Sequence, residues 1–518
     1  MARNTRRTFL SNVGRGMLAG SLGTTLAADL GLSPLRAEEG TNAATPKNLE
    51  PLISLMQETP LPELQRVLVG KISSGTDLKS LIAAGTLANA RTFRGHDYIG
   101  FHTFMALAPA LDMSERLPAE LKALPILKVL YRNTERIHAF GGAPKTAATP
   151  TPTVKPDPNA DGLALRAATR AGDQRKAEQV FAAMRGQSRG EIFNHVQYAV
   201  QDSTNVHRVV LAWRAWLAVD LVGEQHAQSL LSQSVRFCTD SAQYRLKRNR
   251  PEPQMWTTLP AVLDQYKLLA IAPGDRKADD QWVEDLAFTI LTGNPDSATD
   301  AVAQALAEGF QQDTVAEAIS LAANLQLLHD PGRPKAASGD KVIGSVHGDS
   351  VGVHASDAAN AWRNIARVSN HRNSVVSLLL AAHNSAGMRN GMTREQWPLK
   401  DDQAERLKSP DKVLAMIDRA VRSKDQALAG AAVKRYHDLG GHAKPVFDLM
   451  LKFATSEDGA LHAEKFYRTV TEEFATTRKS LRWRQLVGLA RVSASEYGTK
   501  SPGYQEACEL LNVRARTS

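Results

Sequence analysis

The sequence predicts an all-α protein built from four pseudo-repeated helical modules, stacked as a solenoid or closed into an α/α toroid. Three observations carry this. Ala and Leu dominate a chain with 43% apolar and only 6% aromatic residues, and no stretch alternates as a half-buried strand would. A helix, a turn bearing Asp, an Ala-rich helix and a third apolar helix recur in one order. A short loop also returns four times, each time ending in a histidine that opens an apolar helix. It reads Asp97-Tyr-Ile-Gly-Phe-His102, Asp202-Ser-Thr-Asn-Val-His207, Asp349-Ser-Val-Gly-Val-His354 and, one residue shorter, Asp458-Gly-Ala-Leu-His462.

The elements follow in order. Residues 1–37 read as a twin-arginine signal peptide: Thr5-Arg6-Arg7-Thr8-Phe9-Leu10, a Gly/Ala-rich apolar stretch, then Arg36-Ala37. Gly14, Gly16 and Gly20 superficially resemble a dinucleotide fingerprint but fall inside this leader. The first module spans 52–140, with helices near 61–72, 77–91, 102–111 and 118–138. Residues 141–162, rich in Pro, Thr and Ala, form a linker. The second module spans 163–240, the third 282–390 with a Gly/Pro-rich insertion at 330–340, and the fourth 411–495. Asp173, Asp296 and Asp425 stand at equivalent turns, where a carboxylate can cap the next helix.

Charge and composition exclude several function classes. Five arginines against Asp29 put +4 of the formal +9 in the leader, leaving about +5 for the rest, too little to imply a nucleic-acid partner. No stretch is long and apolar enough for a stable membrane span in the mature protein. The leader implies the twin-arginine export machinery as a partner and a periplasmic or otherwise exported location. Cys238 and Cys508 are too few for a disulfide framework and read as buried free thiols. There is no nucleophile elbow, Walker loop or cysteine cluster, and the Cys-x-x-Cys-His of covalent haem is missing.

Four histidines in register place four imidazoles at equivalent corners, so His102, His207, His354 and His462 are the candidate cofactor- or metal-binding residues. A helix start disfavours the imidazolium form, and neutral imidazole is the form that binds metal. The repeat aspartates are candidates for orienting the second ring nitrogens. His96, directly before Asp97, and His347, two positions before Asp349, are candidate ligands or proton shuttles, and Tyr98 a candidate phenolic donor. Gly100 and Gly352 would let the backbone approach a ligand or adopt a positive φ. Iron, copper, zinc or non-covalent haem suit imidazole. Alternatively, Asp caps the loop and His fills a shared packing niche. The remaining histidines, His383 among them, read singly as core or surface residues.

These loops also carry a resemblance. The chain resembles the questin oxidase-like family, which is helical, through His96-Asp-Tyr-Ile-Gly-Phe-His102 followed by Met105-Ala-Leu-Ala-Pro-Ala-Leu. Helix starts such as Val353-His354-Ala-Ser and Leu461-His462-Ala-Glu-Lys-Phe add to it. The resemblance runs over residues 61–494 through short motifs. It implies an oxidoreductase acting on an aromatic or polycyclic small molecule, since the family includes fungal enzymes of anthraquinone ring opening. The export signal and the Pro/Thr linker depart from the family pattern, and no catalytic residue matches beyond the histidines. The sequence thus points to an exported, His-lined helical oxidoreductase using a metal or non-covalent haem. The alternatives are a non-catalytic helical-repeat scaffold of the cell envelope with structural histidines, and a metal-storage or metal-delivery protein.

Overall fold

Helix caps set the frame. In the computed structural model, which describes residues 48–142, 154–336, 341–388, 391–397 and 399–514, the first module comprises α1 (Glu50–Glu58), α2 (Leu61–Ser73), α3 (Leu78–Phe93), α4 (Tyr98–Arg116) and α5 (Ala123–Phe140). The leader lies outside the described residues, as do residues 143–153 of the 141–162 linker. Asp77 caps α3 by accepting from Ser80 N–H, and Asp97 caps α4 by accepting from Gly100 N–H. Each satisfies a donor that the helix itself leaves open.

The second module holds α6 (Gly162–Arg170), α7 (Gln174–Ala183), α8 (Arg189–Val200), α9 (Val206–Val222) and α10 (Ala227–Lys247), followed by α11 (Met255–Gln265). The third holds α12 (Asp280–Thr292), α13 (Pro295–Ala307), α14 (Gln312–Leu328), α15 (Val351–Val368) and α16 (His371–Gly387). The fourth holds α17 (Asp402–Glu405), α18 (Pro410–Arg422), α19 (Gln426–Asp438), α20 (Ala443–Ser456), α21 (His462–Thr476) and α22 (Trp483–Glu496), and α23 (Tyr504–Leu510) is the last helix among the described residues. Among the described residues there are isolated bridges but no strand.

Asp173 and Asp425 cap α7 and α19 as expected. At the third turn the cap is Asn294 instead, accepting from Ser297 N–H, and Asp296 sits in the first helical turn. Pro295 explains the shift, because proline suits the first helical position and hands the cap to the residue before it. The repeated unit also gains a member. A helix after each His helix (α5, α10, α16, α22) packs back on it, so the unit is larger than the four-helix grammar of the sequence.

The four His helices form the inner layer. α4 packs on α9, α9 on α15, α15 on α21 and α21 back on α4, which closes the solenoid into a ring. A buried seam holds first and fourth modules together. Lys128 of α5 is fully buried and donates to the Ala454 and Glu457 carbonyls at 2.7 and 2.6 Å, with Glu464 Oε1 at 2.5 Å. Cys238 and Cys508 are buried and free. No helix of the described residues is long and apolar enough to cross a membrane.

Candidate functional site

Three of the His helices begin before their histidine and the fourth begins at it, so the imidazoles emerge near the helix starts. His462 is the first residue of its helix, His207 the second, His354 the fourth and His102 the fifth. The caps differ accordingly. Asp97 caps α4, but Asn205 caps α9 and Ser350 caps α15. The shorter fourth loop compensates in its backbone: Gly459, Ala460 and Leu461 all have positive φ, at 50°, 47° and 65°. For Ala and Leu that conformation costs roughly 1–2 kcal/mol each. Gly100 and Gly352 serve helix packing. A Cβ on Gly100 would lie 2.4 Å from the Phe93 ring, and one on Gly352 would lie 2.6 Å from Leu327 Cα.

The four imidazoles meet in a closed ring. Centroids of His102 and His207 are 4.7 Å apart, and those of His207–His354, His354–His462 and His462–His102 are each 5.5 Å apart. All four Nε2 atoms are buried and have no hydrogen-bond partner. His102 Nδ1 lies 2.6 Å from the Tyr98 carbonyl and His462 Nδ1 lies 3.1 Å from the Ala460 carbonyl. A carbonyl only accepts, so in both rings Nδ1 carries the proton and Nε2 carries the lone pair.

The electrostatics keep the ring neutral. Burial first, then the Lys465 ammonium, push His102 down to about 2. Burial, neighbouring His354 and Lys465 bring His207 to about 3. Burial and Lys465 bring His354 to about 4. His462 is lowered by the same burial and by Lys465. Helix N-termini add positive potential of the same sign.

The repeat aspartates do something other than orient imidazoles. Asp97 pairs with Arg136 at 2.5 Å, and Asp202 with Arg166 and Arg170 at 2.5 and 2.7 Å. Asp349 pairs with Arg333 and, at 2.7 Å, with Lys341, and Asp458 with Arg132 at 2.5 Å. Each loop is therefore pinned by at least one cation from elsewhere. Arg132 and Arg136, and likewise Arg166 and Arg170, are spaced four apart on one helix face, a pattern visible in the sequence but not connected there to the loops.

His96 is not part of the ring. Arg94 and Gly95 turn the chain in left-handed conformation, and His96 Nδ1 faces Asp240 of α10 at 2.5 Å, both side chains about two-fifths exposed. That contact lies at the protein surface, outside the imidazole ring. His347 is buried and lines a cavity of about 70 Å³ with Lys341, Asp349, Asp458, His462 and Glu496. Tyr98 is 61% exposed, while its ring lies 4.5 Å from His102 and 5.4 Å from His207. The imidazole ring therefore lies one aromatic layer beneath the surface there.

Four residues of the site were not read from the sequence. Lys465 and Asp357 each stand three positions after a repeat histidine and are buried. Lys465 is lowered to about 8 by burial, and Asp357 accepts from Thr469 Oγ1 at 2.7 Å. Arg214 is buried one turn pair below His207. Glu496 accepts from Gly348 N–H at 2.7 Å and is raised to about 8 by burial. A charge three residues along from an inward histidine was the available signal.

The donor chemistry and spacing fit a metal ion. Imidazole nitrogens at about 2 Å from an ion place neighbouring ring centroids about 5 Å apart. The aim of the rings is the part that does not fit. Among the described residues no group of three or more His, Cys, Asp or Glu could hold a metal ion as it stands. Haem does not fit, because imidazoles 4.7–5.5 Å apart leave no room for a macrocycle among them. Searches against family models, curated proteins and solved structures find no match to this chain.

Proposed function

We propose that this is an exported metal-dependent oxidoreductase in which His102, His207, His354 and His462 hold the metal. One observation carries the metal reading: buried Nε2 atoms without partners, in a closed ring where two of them must present lone pairs. A buried imidazole lone pair without a donor is unfavourable, and a Lewis acid is one partner that could satisfy it. When bound, such an ion supplies electron exchange or polarisation of a small-molecule substrate. Nδ1–H donation to the Tyr98 and Ala460 carbonyls sets the tautomers, and Tyr98 shields the ring. His347 and Glu496 line a cavity that also reaches His462.

The oxidoreductase class and an aromatic or polycyclic substrate come from the resemblance to the questin oxidase-like family. At about 70 Å³ the cavity is far below the roughly 300–1,000 Å³ of small-molecule pockets. Such a substrate would therefore lie outside the ring, against Tyr98 and Ile99, which are 61% and 48% exposed. The twin-arginine leader supports export to the periplasm after folding. A second reading, an envelope scaffold with structural histidines, is favoured by the ring's unconverged nitrogens.

Metal analysis and an absorption spectrum of the full chain, purified from its export route, separate the two. The expected result is one ion per chain, with His102→Ala and His354→Ala each losing most of it at unchanged helicity and His437→Ala losing none. Metal-free wild type that also stays metal-free when reconstituted would leave the scaffold reading.

A further inference from the structure

A basic run, Arg245-Leu-Lys-Arg-Asn-Arg250, closes α10 and opens the turn towards α11. Cations in the last turn of a helix complement its negative end, which accounts for Arg245 and Lys247. Arg248 and Arg250 lie past that turn. Residues 244–253 hold four cations against Glu252, a local charge of 4 − 1 = +3. Elsewhere part-exposed arginines take carboxylates from other helices, as Arg91 does from Glu50 and Arg367 from Asp313. Among the described residues no carboxylate forms an ion pair with Arg245, Lys247, Arg248 or Arg250.

The backbone folds this run onto an aromatic side chain. Asn249 is left-handed at φ 48°, and Arg250 N–H donates to the Arg245 carbonyl at 3.0 Å. Bent back in this way, Arg250 Cζ lies 5.1 Å from the Tyr244 ring centroid, with Arg248 Cζ at 5.2 Å. Arg245 Cζ lies 5.1 Å from the ring of Trp256, which is anchored by its indole N–H on the Asp202 carbonyl. Tyr244 and Leu246 are nevertheless 50% and 47% exposed. A phenol and a leucine therefore stand out from the protein inside a patch of four unneutralised cations.

That combination selects among anionic partners. A polyanion in water uses the charge and gains little from the two apolar side chains. A nucleobase would stack on the tyrosine face, over which Arg248 and Arg250 already lie. A bilayer surface uses both parts. Guanidinium groups meet lipid phosphates, and aromatic and aliphatic side chains sit at the headgroup and acyl boundary.

We propose that the C-terminal end of α10 and the turn after it dock the protein on an anionic lipid bilayer. Arg248 and Arg250 meet the headgroup phosphates, and Tyr244 and Leu246 enter the interface. Nothing in this inference depends on the imidazole ring.

The test is co-sedimentation of the full chain with vesicles of phosphatidylglycerol and phosphatidylcholine in equal parts, and with vesicles of phosphatidylcholine alone. Each basic side chain near an anionic surface is worth roughly fivefold in binding. Wild type therefore prefers the anionic vesicles by about tenfold or more, and loses that margin at about 1 M salt, where the screening length is about 3 Å. Arg248→Gln with Arg250→Gln binds them about tenfold or more weakly, whereas Arg248→Lys with Arg250→Lys keeps most of the affinity. Residues 1–37 are common to all these proteins and cancel from the ratios. Tyr244→Ser with Leu246→Ser weakens vesicle binding severalfold and leaves binding to soluble polyglutamate unchanged. Equal vesicle binding by wild type and the Gln double variant overturns the inference, as does a wild type that does not distinguish the two vesicles. Vesicle binding indifferent to Tyr244→Ser with Leu246→Ser, together with equally tight capture of polyglutamate, overturns the bilayer and leaves an acidic polymer as the partner.

Discussion

Helices α20 and α21 are consecutive in the chain and pack on each other, yet they are buried by opposite rules. α20 hides an apolar stripe of Val446, Phe447, Leu449, Met450, Leu451 and Phe453. Its outer face carries an ion pair, Lys444 to Asp448 at 2.6 Å, with both side chains more than two-fifths exposed. That is the ordinary amphipathic arrangement, in which burial alone holds the helix. α21 instead buries His462, Glu464, Lys465 and Glu473 among its apolar residues. Burying charge is unfavourable unless every charge is matched. Natural cores keep such groups rarely, and the difference between the two helices marks where this fold departs from ordinary apolar packing.

The comparison can be broken at Glu464. Its side chain and that of Lys128 are both fully buried. Glu464→Ala leaves the ammonium without its carboxylate and should cost about 3–5 kcal/mol. The double change Lys128→Met with Glu464→Leu should recover most of that loss. Equilibrium urea unfolding reads both. A single variant as stable as wild type would mean that the pair does not couple the first and fourth modules.

Acid offers a finer probe of the inner ring. His354, His207 and His102 lie at about 4, 3 and 2 in the folded protein, below the ordinary imidazole value of about 6.5. The unfolded chain therefore takes up protons first as pH falls. Stability of the metal-free protein is full above about 6.5 and declines below it, by up to about 1.4 kcal/mol per pH unit for each imidazole. Competition between protons and metal accordingly begins nearer pH 4 than pH 6.5. Urea midpoints at pH 7, 6 and 5 check the first statement, with His354→Leu expected to flatten the slope by one imidazole's share. A midpoint that stays level from pH 7 to 5 contradicts a neutral ring.

The smallest effect belongs to α20. Lys444→Ala removes an exposed i,i+4 pair and should change stability by no more than about 0.5 kcal/mol. A larger loss would show that α20 too depends on its charges, and the contrast with α21 would fade.

Much of this was legible in the sequence, and particular residues show where legibility ended. The Asp-to-His loops and the Ala-rich helices repeat along the chain, so the modules and the equivalence of four histidines could be read directly. Whether the modules closed was open, because closure depends on Lys128 and Arg132 reaching residues more than three hundred positions away. The aspartates were misread for the same reason. Asp97 finds Arg136 and Asp202 finds Arg166 through space, and spacing within a loop carries no record of that. His96 looked equivalent to His347 by pattern, yet the left-handed Arg94–Gly95 turn sends it to the surface. Haem was open on donor type alone and closes only once the ring distances are known.

The central claim is that four imidazoles surround one ion. X-ray absorption at the metal edge of the loaded full chain tests it most directly, since the outer-shell scattering of imidazole counts the histidines. The account predicts nitrogen donors at about 2 Å, four of them with imidazole signatures, and one imidazole fewer in His207→Ala. A first shell of oxygen donors without imidazole scattering, or a spectrum unchanged by His207→Ala, would contradict it.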